Sequence, residues 1–337
     1  MGNHKIYKTY INLITIKNKN KYMARNLNFI SYFGGKNKQS KFCYDQITPE
    51  IKKNTKIFTE VFAGAFWIYF NEDFSFADTI IYNDMNQYLT NFYACVGNLD
   101  YAEHLEELNE PGNLLHFDEN LKSTPKETYD FYYSYFKDLF QKYRQELYYD
   151  RIGEQFKVNI PDFDLAVKYG IMLRHAFSGI SNDKQCGFSY SASSYIDGKK
   201  CPEPKSQMLI RRIRDEKLIN KLSKVNAFEC LDFEEHINKY DSKETLFYLD
   251  PPYWSSEFQY YRGAEHFGKE GHQRLADMLA WIDGKFILSY YDFEGLDEMY
   301  PKDKYRWEGK SFTKASTTIS NLSMEDKQGH EILIMNY

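Results

Sequence analysis

None of the five cysteines (Cys43, Cys95, Cys186, Cys201 and Cys230) stands in a C-x-x-C pair, and their spacing is wide and irregular. Neither a zinc ligand set nor a disulfide framework is indicated, and no metal site is expected. Free thiols fit a reducing cytosol, so a cytoplasmic location is expected. Long apolar runs are also missing. Nothing approaches the roughly 18 apolar residues that a membrane span requires. The stretch from Met1 to Lys21 holds a short apolar patch, Tyr10 to Ile16, among basic residues. It has no small-residue cleavage site, so no signal peptide is expected, and Met23 is an alternative start. No internal repeat or low-complexity linker stands out. Net positive charge is lacking too: the formal charge is -5, which by itself argues against a simple polyanion binder.

The distribution of charge is more informative than its sum. From Arg174 to Lys224 there are eleven Lys and Arg against five Asp and Glu. A basic block in an acidic chain is either a solvated face or an electrostatic footprint for a polyanion. The chain has 337 residues, enough for one large domain or for a domain with a smaller one inserted. Aromatics make up 18%, mostly Tyr and Phe. Beside abundant Lys, Asn and Ile, they read as coding bias rather than function.

Short runs rich in Ile, Leu, Phe and Val predict strands at Lys56 to Val61, Asp78 to Tyr82, Ala227 to Cys230, Thr245 to Leu249, Lys285 to Ser289 and Glu331 to Asn336. Helical patterns lie between several of them, as at Gly271 to Trp281. This alternation predicts an α/β sheet covered on both faces. The middle differs. From about Tyr88 to Leu222 the pattern is mostly helical, as at Tyr129 to Tyr148. It passes into a Gly/Ser/Lys-rich stretch, Ser178 to Ser206, and suggests an insertion between two halves of the sheet.

The strongest chemical signal is Leu246-Phe-Tyr-Leu-Asp-Pro-Pro-Tyr253. Ligands of open α/β sheets sit at the carboxyl ends of strands. Two prolines extend neither strand nor helix, and each restricts its predecessor. They make a stiff turn that presents Asp250 and Tyr253 at the sheet edge. Asp250 can accept one hydrogen of an amino group and the carbonyl of Pro251 the other, while Tyr253 offers a face to a base. An amine held by two acceptors directs its lone pair at an electrophile.

This motif and its neighbours resemble the Dam-type DNA adenine methyltransferases, over nearly the whole chain from Asn28 to Tyr337. The resemblance implies a Rossmann-like sheet dependent on S-adenosylmethionine (AdoMet), with an inserted, mainly helical target-recognition domain. Residues 1–27 would be an extension, 28–87 and 223–337 the two catalytic parts, and 88–222 the recognition domain. The implied reaction is methyl transfer from AdoMet to N6 of a flipped-out adenine in double-stranded DNA, with catalytic residues Asp250, Pro251, Pro252 and Tyr253. Ile30-Ser-Tyr-Phe-Gly-Gly-Lys36 resembles the opening cofactor-side motif, placing Tyr32, Phe33, Gly35 and Lys36 at the AdoMet pocket. Phe58-Thr-Glu-Val-Phe-Ala-Gly-Ala-Phe66 resembles the cofactor loop, with Glu60, Phe62 and Gly64 matching. Val61 stands where Pro is usual, and Phe66 where a second Gly is usual. A bulky Phe66 is expected to narrow the pocket or to need a changed backbone.

Asp84, about 20 residues beyond that loop, stands where nucleotide-binding sheets hold ribose hydroxyls, and Asp84-Met85-Asn86 fits the family pattern. Asp232 and Phe233 resemble the residues beside the cofactor adenine. Arg174 to Ile180 and Gly187-Phe188 echo the recognition region. Arg174, Lys184, Lys199, Lys200, Arg211, Arg212 and Arg214 are therefore candidate DNA contacts. His272-x-x-Leu275, Phe286 to Ser289 and Glu331 to Tyr337 resemble the helix and strands that complete the sheet. Phe258 to Arg262 reads either as a closure over the target base or as loop packing. Methylation of cytosine N4 or RNA adenine remains open on the sequence, as does a degenerate protein that binds DNA without turnover. Members of the family protect DNA beside a cognate restriction endonuclease, mark phage or plasmid DNA, or act alone.

Overall fold

The computed structural model describes residues 36, 39–116, 125–149, 158–176, 187–189, 194–196, 199–201, 215–254, 267–313 and 328–337. The N-terminal extension, Tyr32, Phe33, Gly35, Lys184, Arg211, Arg212, Arg214 and the run Phe258 to Arg262 lie outside the described residues.

Two short helices, α1 (Ser40–Tyr44) and α2 (Pro49–Asn54), precede β1 (Ile57–Glu60). Helix α3 (Trp67–Asn71) leads to β2 (Thr79–Asn83). Helices α4 (Gln87–Val96), α5 (Leu99–Leu108), α6 (Pro125–Arg144, continued by a wider turn at Gln145–Tyr149) and α7 (Phe163–His175) follow. A small antiparallel pair, β3 (Ser194–Ile196) and β4 (Lys199–Cys201), carries the backbone of Lys199 and Lys200. The chain then alternates: α8 (Glu216–Leu222), β5 (Val225–Glu229), α9 (Phe233–Tyr240), β6 (Thr245–Leu249), α10 (Gly268–Leu279), β7 (Lys285–Tyr291) and α11 (Leu296–Met299). Strands β8 (Arg306–Thr313) and β9 (Gln328–Met335) end it.

Seven strands form one sheet in the order β5-β2-β1-β6-β7-β9-β8. The first five are parallel, and β9 runs antiparallel to both β7 and β8. All six expected strands occur, and β8 is an addition. Strand β6 is buried along its whole length. Its alternate residues serve two cores: Leu246 and Tyr248 pack on one face, Phe247 and Leu249 on the other. A strand enclosed on both faces needs apolar residues at every position, as a central parallel strand does.

The second core is closed by Phe233 and Ile237 of α9, Leu275 and Leu279 of α10, and Leu296 of α11. The first is larger. It joins Phe58 and Ile80 of the sheet to Leu89 and Phe92 of α4, Phe136 and Phe140 of α6, and Leu165 and Tyr169 of α7. The helices of the middle segment thus share one continuous core with the sheet.

The strand order positions the site. From β1 the chain moves outward through β2 to β5, then returns to β6 on the other side and continues to β7. The carboxyl ends of β1 and β6 therefore flank the crevice where the order reverses, the usual ligand position in open α/β sheets.

Candidate active site

Four acids stand along the carboxyl edge of four adjacent parallel strands: Asp232 beyond β5, Asp84 after β2, Glu60 at the end of β1 and Asp250 after β6. All four were candidates from sequence. They differ sharply in their partners.

Asp84 organises the loop after β1. Its Oδ2 accepts from the Gly64 amide at 2.8 Å and its Oδ1 from the Asn86 amide at 2.8 Å. The Tyr82 hydroxyl donates to the Gly64 carbonyl at 2.9 Å, and the Ala63 amide to the Asn83 carbonyl at 2.8 Å. Asn83, buried, adds bonds from its side-chain amide to the carbonyls of Val61 (2.9 Å) and Leu231 (3.1 Å), so it ties the loops after β1 and β5 together. Burial raises the Asp84 carboxyl, opposed by the two amide hydrogen bonds. Each Asp84 oxygen keeps acceptor capacity beyond these bonds, since a carboxylate offers about four lone-pair sites.

In the same loop, Gly64 has φ 50° and Phe66 has φ 57°. The left-handed conformation explains why glycine suits both positions. Phe66 adopts the glycine-like backbone and buries its ring completely, stacked on Tyr69 with centroids 4.6 Å apart and edge-on to Tyr82 at 5.2 Å. The departure from the family pattern is met by a strained backbone and a ring packed in the core. Phe66 also begins α3 without a side-chain cap. Glu60 supplies one instead: its Oε1 accepts from the Tyr69 amide at 2.7 Å. Burial holds the Glu60 carboxyl well above its usual range, against the Tyr69 bond.

Asp232 caps α9, accepting from the Glu234 amide at 3.0 Å, and pairs with Arg274 at 3.2 Å. Phe233 lies in the core, with Phe62 at 5.8 Å and Phe267 at 5.7 Å between centroids, and the Arg274 guanidinium 5.0 Å from its ring. Its ring is thus enclosed by protein. Phe62 is only partly buried and is the aromatic of this group with an open side. Arg274 was not foreseen: it contacts Asp232 across 42 residues of sequence.

The Asp250 turn belongs to a buried charge cluster centred on Lys36. The buried Lys36 ammonium lies 3.2 Å from Asp250 and 2.7 Å from Glu331 of β9. It also stands 4.5 Å from the Tyr253 ring centroid. The Tyr253 hydroxyl donates to Glu331 Oε1 at 3.0 Å, and the Ser289 hydroxyl of β7 donates to the same oxygen. The Tyr253 ring packs at 4.3 Å on Tyr291. Burial pushes the Asp250 carboxyl up to about 7; Lys36 opposes the rise and the Glu331 carboxylate adds to it. The two carboxylates raise the Lys36 ammonium despite its burial. Lys36, placed at the AdoMet pocket by the resemblance, thus reaches two carboxylates of the protein. Glu331 was read only as part of a closing strand.

Of the candidate DNA contacts, Arg174 lies at the end of α7, partly buried, and Lys199 and Lys200 lie on β4. Within the basic block, Lys221 has a structural role. Its ammonium donates to the carbonyls of Tyr69 (2.8 Å) and Glu72 at the end of α3. Among the described residues, no cluster of His, Cys, Asp and Glu could hold a metal ion, and no helix is long and apolar enough to cross a membrane.

A carboxylate on a Pro-Pro turn, beside an aromatic held by its hydroxyl and a row of acids at the switch point, is chemically suited to hydrogen-bond donors and to cationic groups. A search of curated proteins returned no match. The model of the D12 class N6 adenine-specific DNA methyltransferases matches residues 32–311. The chain belongs to that family, and with it to the enzymes that methylate adenine N6 of DNA from S-adenosylmethionine.

Proposed function

We propose that Asp250 and the carbonyl of Pro251 accept the two hydrogens of the target adenine amine, and that Tyr253 stacks on the flipped base. The observation that carries this reading is the position of Asp250: it follows the fully buried β6 at the strand-order reversal, on a Pro-Pro turn whose Tyr253 is anchored by its hydroxyl. The target nitrogen of duplex DNA lies within the stack, so the base must leave it to reach this turn. Two acceptors on one amine fix its lone pair in one direction. Orientation of this kind, with preplaced charge, supplies the rate enhancement without a covalent intermediate. Ionised Asp250 is the better acceptor, and it also stabilises positive charge that develops on the amine.

The row of acids fits AdoMet, which carries a sulfonium, an ammonium and ribose hydroxyls. When bound, it supplies an activated methyl group. Asp84, with acceptor capacity left after its two amide bonds, would hold ribose hydroxyls. Glu60 and Gly64 would border the methionine part, and Phe62 and Asp232 the adenine. Phe233, enclosed in the core, would act from behind Phe62. Tyr32, Phe33 and Gly35 would complete the pocket from the N-terminal side, beside Lys36.

We assign residues 28–87 and 223–337 to the catalytic part and 88–222 to target recognition. Arg174, Lys184, Lys199, Lys200, Arg211, Arg212 and Arg214 would contact DNA, mostly at phosphates, where Lys and Arg supply affinity rather than sequence choice. Action in the cytoplasm, beside a restriction endonuclease that shares the target sequence, suits such an enzyme.

The test is methyl transfer from labelled AdoMet to unmethylated double-stranded DNA, with nucleoside analysis. N6-methyladenine is expected from the native protein, and none above background from Asp250→Ala that still binds AdoMet by calorimetry. An Asp250→Ala protein that retains activity would remove Asp250 from the reaction.

A further inference from the structure

A carboxylate in the middle of a sheet needs a reason. Glu331 is completely buried, on the face of β9 that Leu333 and Met335 continue into the larger core. An apolar residue would keep that alternation at no desolvation cost, whereas a buried carboxylate costs several kcal/mol before its partners are counted. Departures of this kind from the local pattern concentrate at functional sites.

Three donors from three separate chain segments converge on one oxygen, Oε1: the ammonium of Lys36, the hydroxyl of Tyr253 and the hydroxyl of Ser289. The other oxygen, Oε2, is buried and has no hydrogen-bond partner among the described residues. Lys36 lies nearer to Glu331 than to Asp250, at 2.7 Å against 3.2 Å. One ammonium is therefore shared by two carboxylates, and its stronger contact is with the one further from the catalytic turn.

We propose that Glu331 is a positioning residue for methyl transfer: it draws the Lys36 ammonium away from Asp250, leaving that carboxylate able to accept the substrate amine, and it fixes the Tyr253 ring through its hydroxyl. The proposal rests on the assignment of Asp250 as the amine acceptor. Its electrostatic consequence is direct. Two carboxylates about one ammonium leave net negative charge beside the nitrogen that becomes positive during the reaction, where low dielectric strengthens every such interaction. Without the Glu331 charge, Lys36 pairs with Asp250 alone, and Asp250 becomes a weaker acceptor with a lower affinity for protons.

Among the described residues, the other titratable groups coupled to Asp250 are Cys43 of α1, Glu60 of β1, Tyr248 of β6 and Tyr291 of β7. All are raised above their usual ranges, mainly by burial, Tyr291 to about 12. The tyrosines and the thiol stay neutral across the working range. The Glu60 carboxyl, raised like Asp250, is present in all four proteins.

The experiment is the single-turnover methylation rate, with AdoMet and DNA saturating, as a function of pH for the native protein, Glu331→Gln, Glu331→Asp and Asp250→Ala. Glu331→Gln is expected to lose roughly 10- to 100-fold in rate, the scale of a misplaced reacting group. Its acid limb should move to lower pH. Glu331→Asp, which keeps the charge but retracts it, should lose rate while its limb stays in place. An unchanged rate in Glu331→Gln, or a loss in a folded protein with the limb unmoved, overturns the proposal, because a packing role alone does not shift the limb. If Glu331→Gln does not fold, Ser289→Ala is measured in its place. It removes one donor and leaves the charges, so a rate loss at unchanged Tm supports the proposal and an unchanged rate overturns it. An active Asp250→Ala would instead refute the underlying assignment, whatever Glu331 does.

Discussion

Replacing Phe66 by glycine and by alanine should invert the usual order of stability. Both variants lose a fully buried ring that touches Tyr69, Phe70 and Tyr82. That loss costs about 3–5 kcal/mol for a Phe→Ala change. They differ in what they do to the backbone, which holds φ 57° and ψ 38° at this residue. Alanine keeps the left-handed penalty of about 1–2 kcal/mol, and glycine removes it. Glycine in turn makes the unfolded chain looser, at a cost of about 0.4–1 kcal/mol. At a helix start glycine is also favoured over alanine. The balance makes Phe66→Gly more stable than Phe66→Ala by about 0.5–1 kcal/mol, although both are well below the native protein. At an ordinary right-handed position the difference has the opposite sign. Equilibrium urea unfolding of the three proteins at neutral pH reads the difference directly. An alanine variant equal to or more stable than the glycine variant would refute the left-handed backbone, and with it the account of how this chain dispenses with the family's second glycine.

Glu60→Gln keeps an acceptor for the Tyr69 amide and removes a carboxyl whose folded affinity for protons is raised by burial. Such a group costs stability as pH rises above its unfolded value, so the variant should be more stable than the native protein at neutral pH and lose that gain near pH 4, by urea unfolding. AdoMet affinity should fall in the same protein. Lys36→Met leaves Asp250 and Glu331 buried without their cation, and should cost about 3–5 kcal/mol; a Tm within a degree or two of native would remove the cluster's central assumption. His236 and His272, both fully buried, are held down to about 4, mainly by burial. Each folded ring binds fewer protons than the unfolded one, so each contributes stability that is lost as pH falls from about 6.5 through 4, on the order of 3 kcal/mol apiece at the limit. His272→Gln should therefore flatten the acid side of the stability curve, and an identical curve would show that His272 is protonated without penalty.

What was legible in the sequence follows burial. Strand β6 was placed to the residue, Thr245–Leu249, because it is apolar throughout and two prolines stop it. Strand β8 was missed because it is an edge strand: Arg306, Gly309, Lys310 and Ser311 face solvent, so no buried period marks it. Charged residues of this kind protect an edge from pairing with another chain. The acids at the sheet edge were visible because each stands at the end of a short strand or just beyond it. Their partners were not. Arg274 meets Asp232 across 42 residues and Glu331 meets Lys36 across 295, and local patterns carry no trace of such contacts. One sign was present for Glu331: it is the only charged residue in the apolar run that ends the chain, Glu331-Ile-Leu-Ile-Met335.

The two carboxylates differ in what the protein lets them do. Glu331 has three donors on one oxygen and lies inside the sheet, so it is committed to structure and charge. Asp250 keeps partial exposure, with 18% of its side chain accessible, and holds Lys36 by the longer contact. A carboxylate bound tightly by its own ammonium has little left for a substrate amine, and one with no cation nearby would be neutral at physiological pH when buried to this degree. Sharing one lysine between two acids gives an intermediate state: Asp250 sits near the balance point of protonation, solvated enough to be reached and poor enough in partners to bind one more hydrogen. Matching a reactive group to its working pH by burial and by competing charges is how enzyme sites are tuned. Here the competition is built from the loop before α1 and three adjacent strands, β6, β7 and β9, with Glu331 opposite Tyr291 of β7.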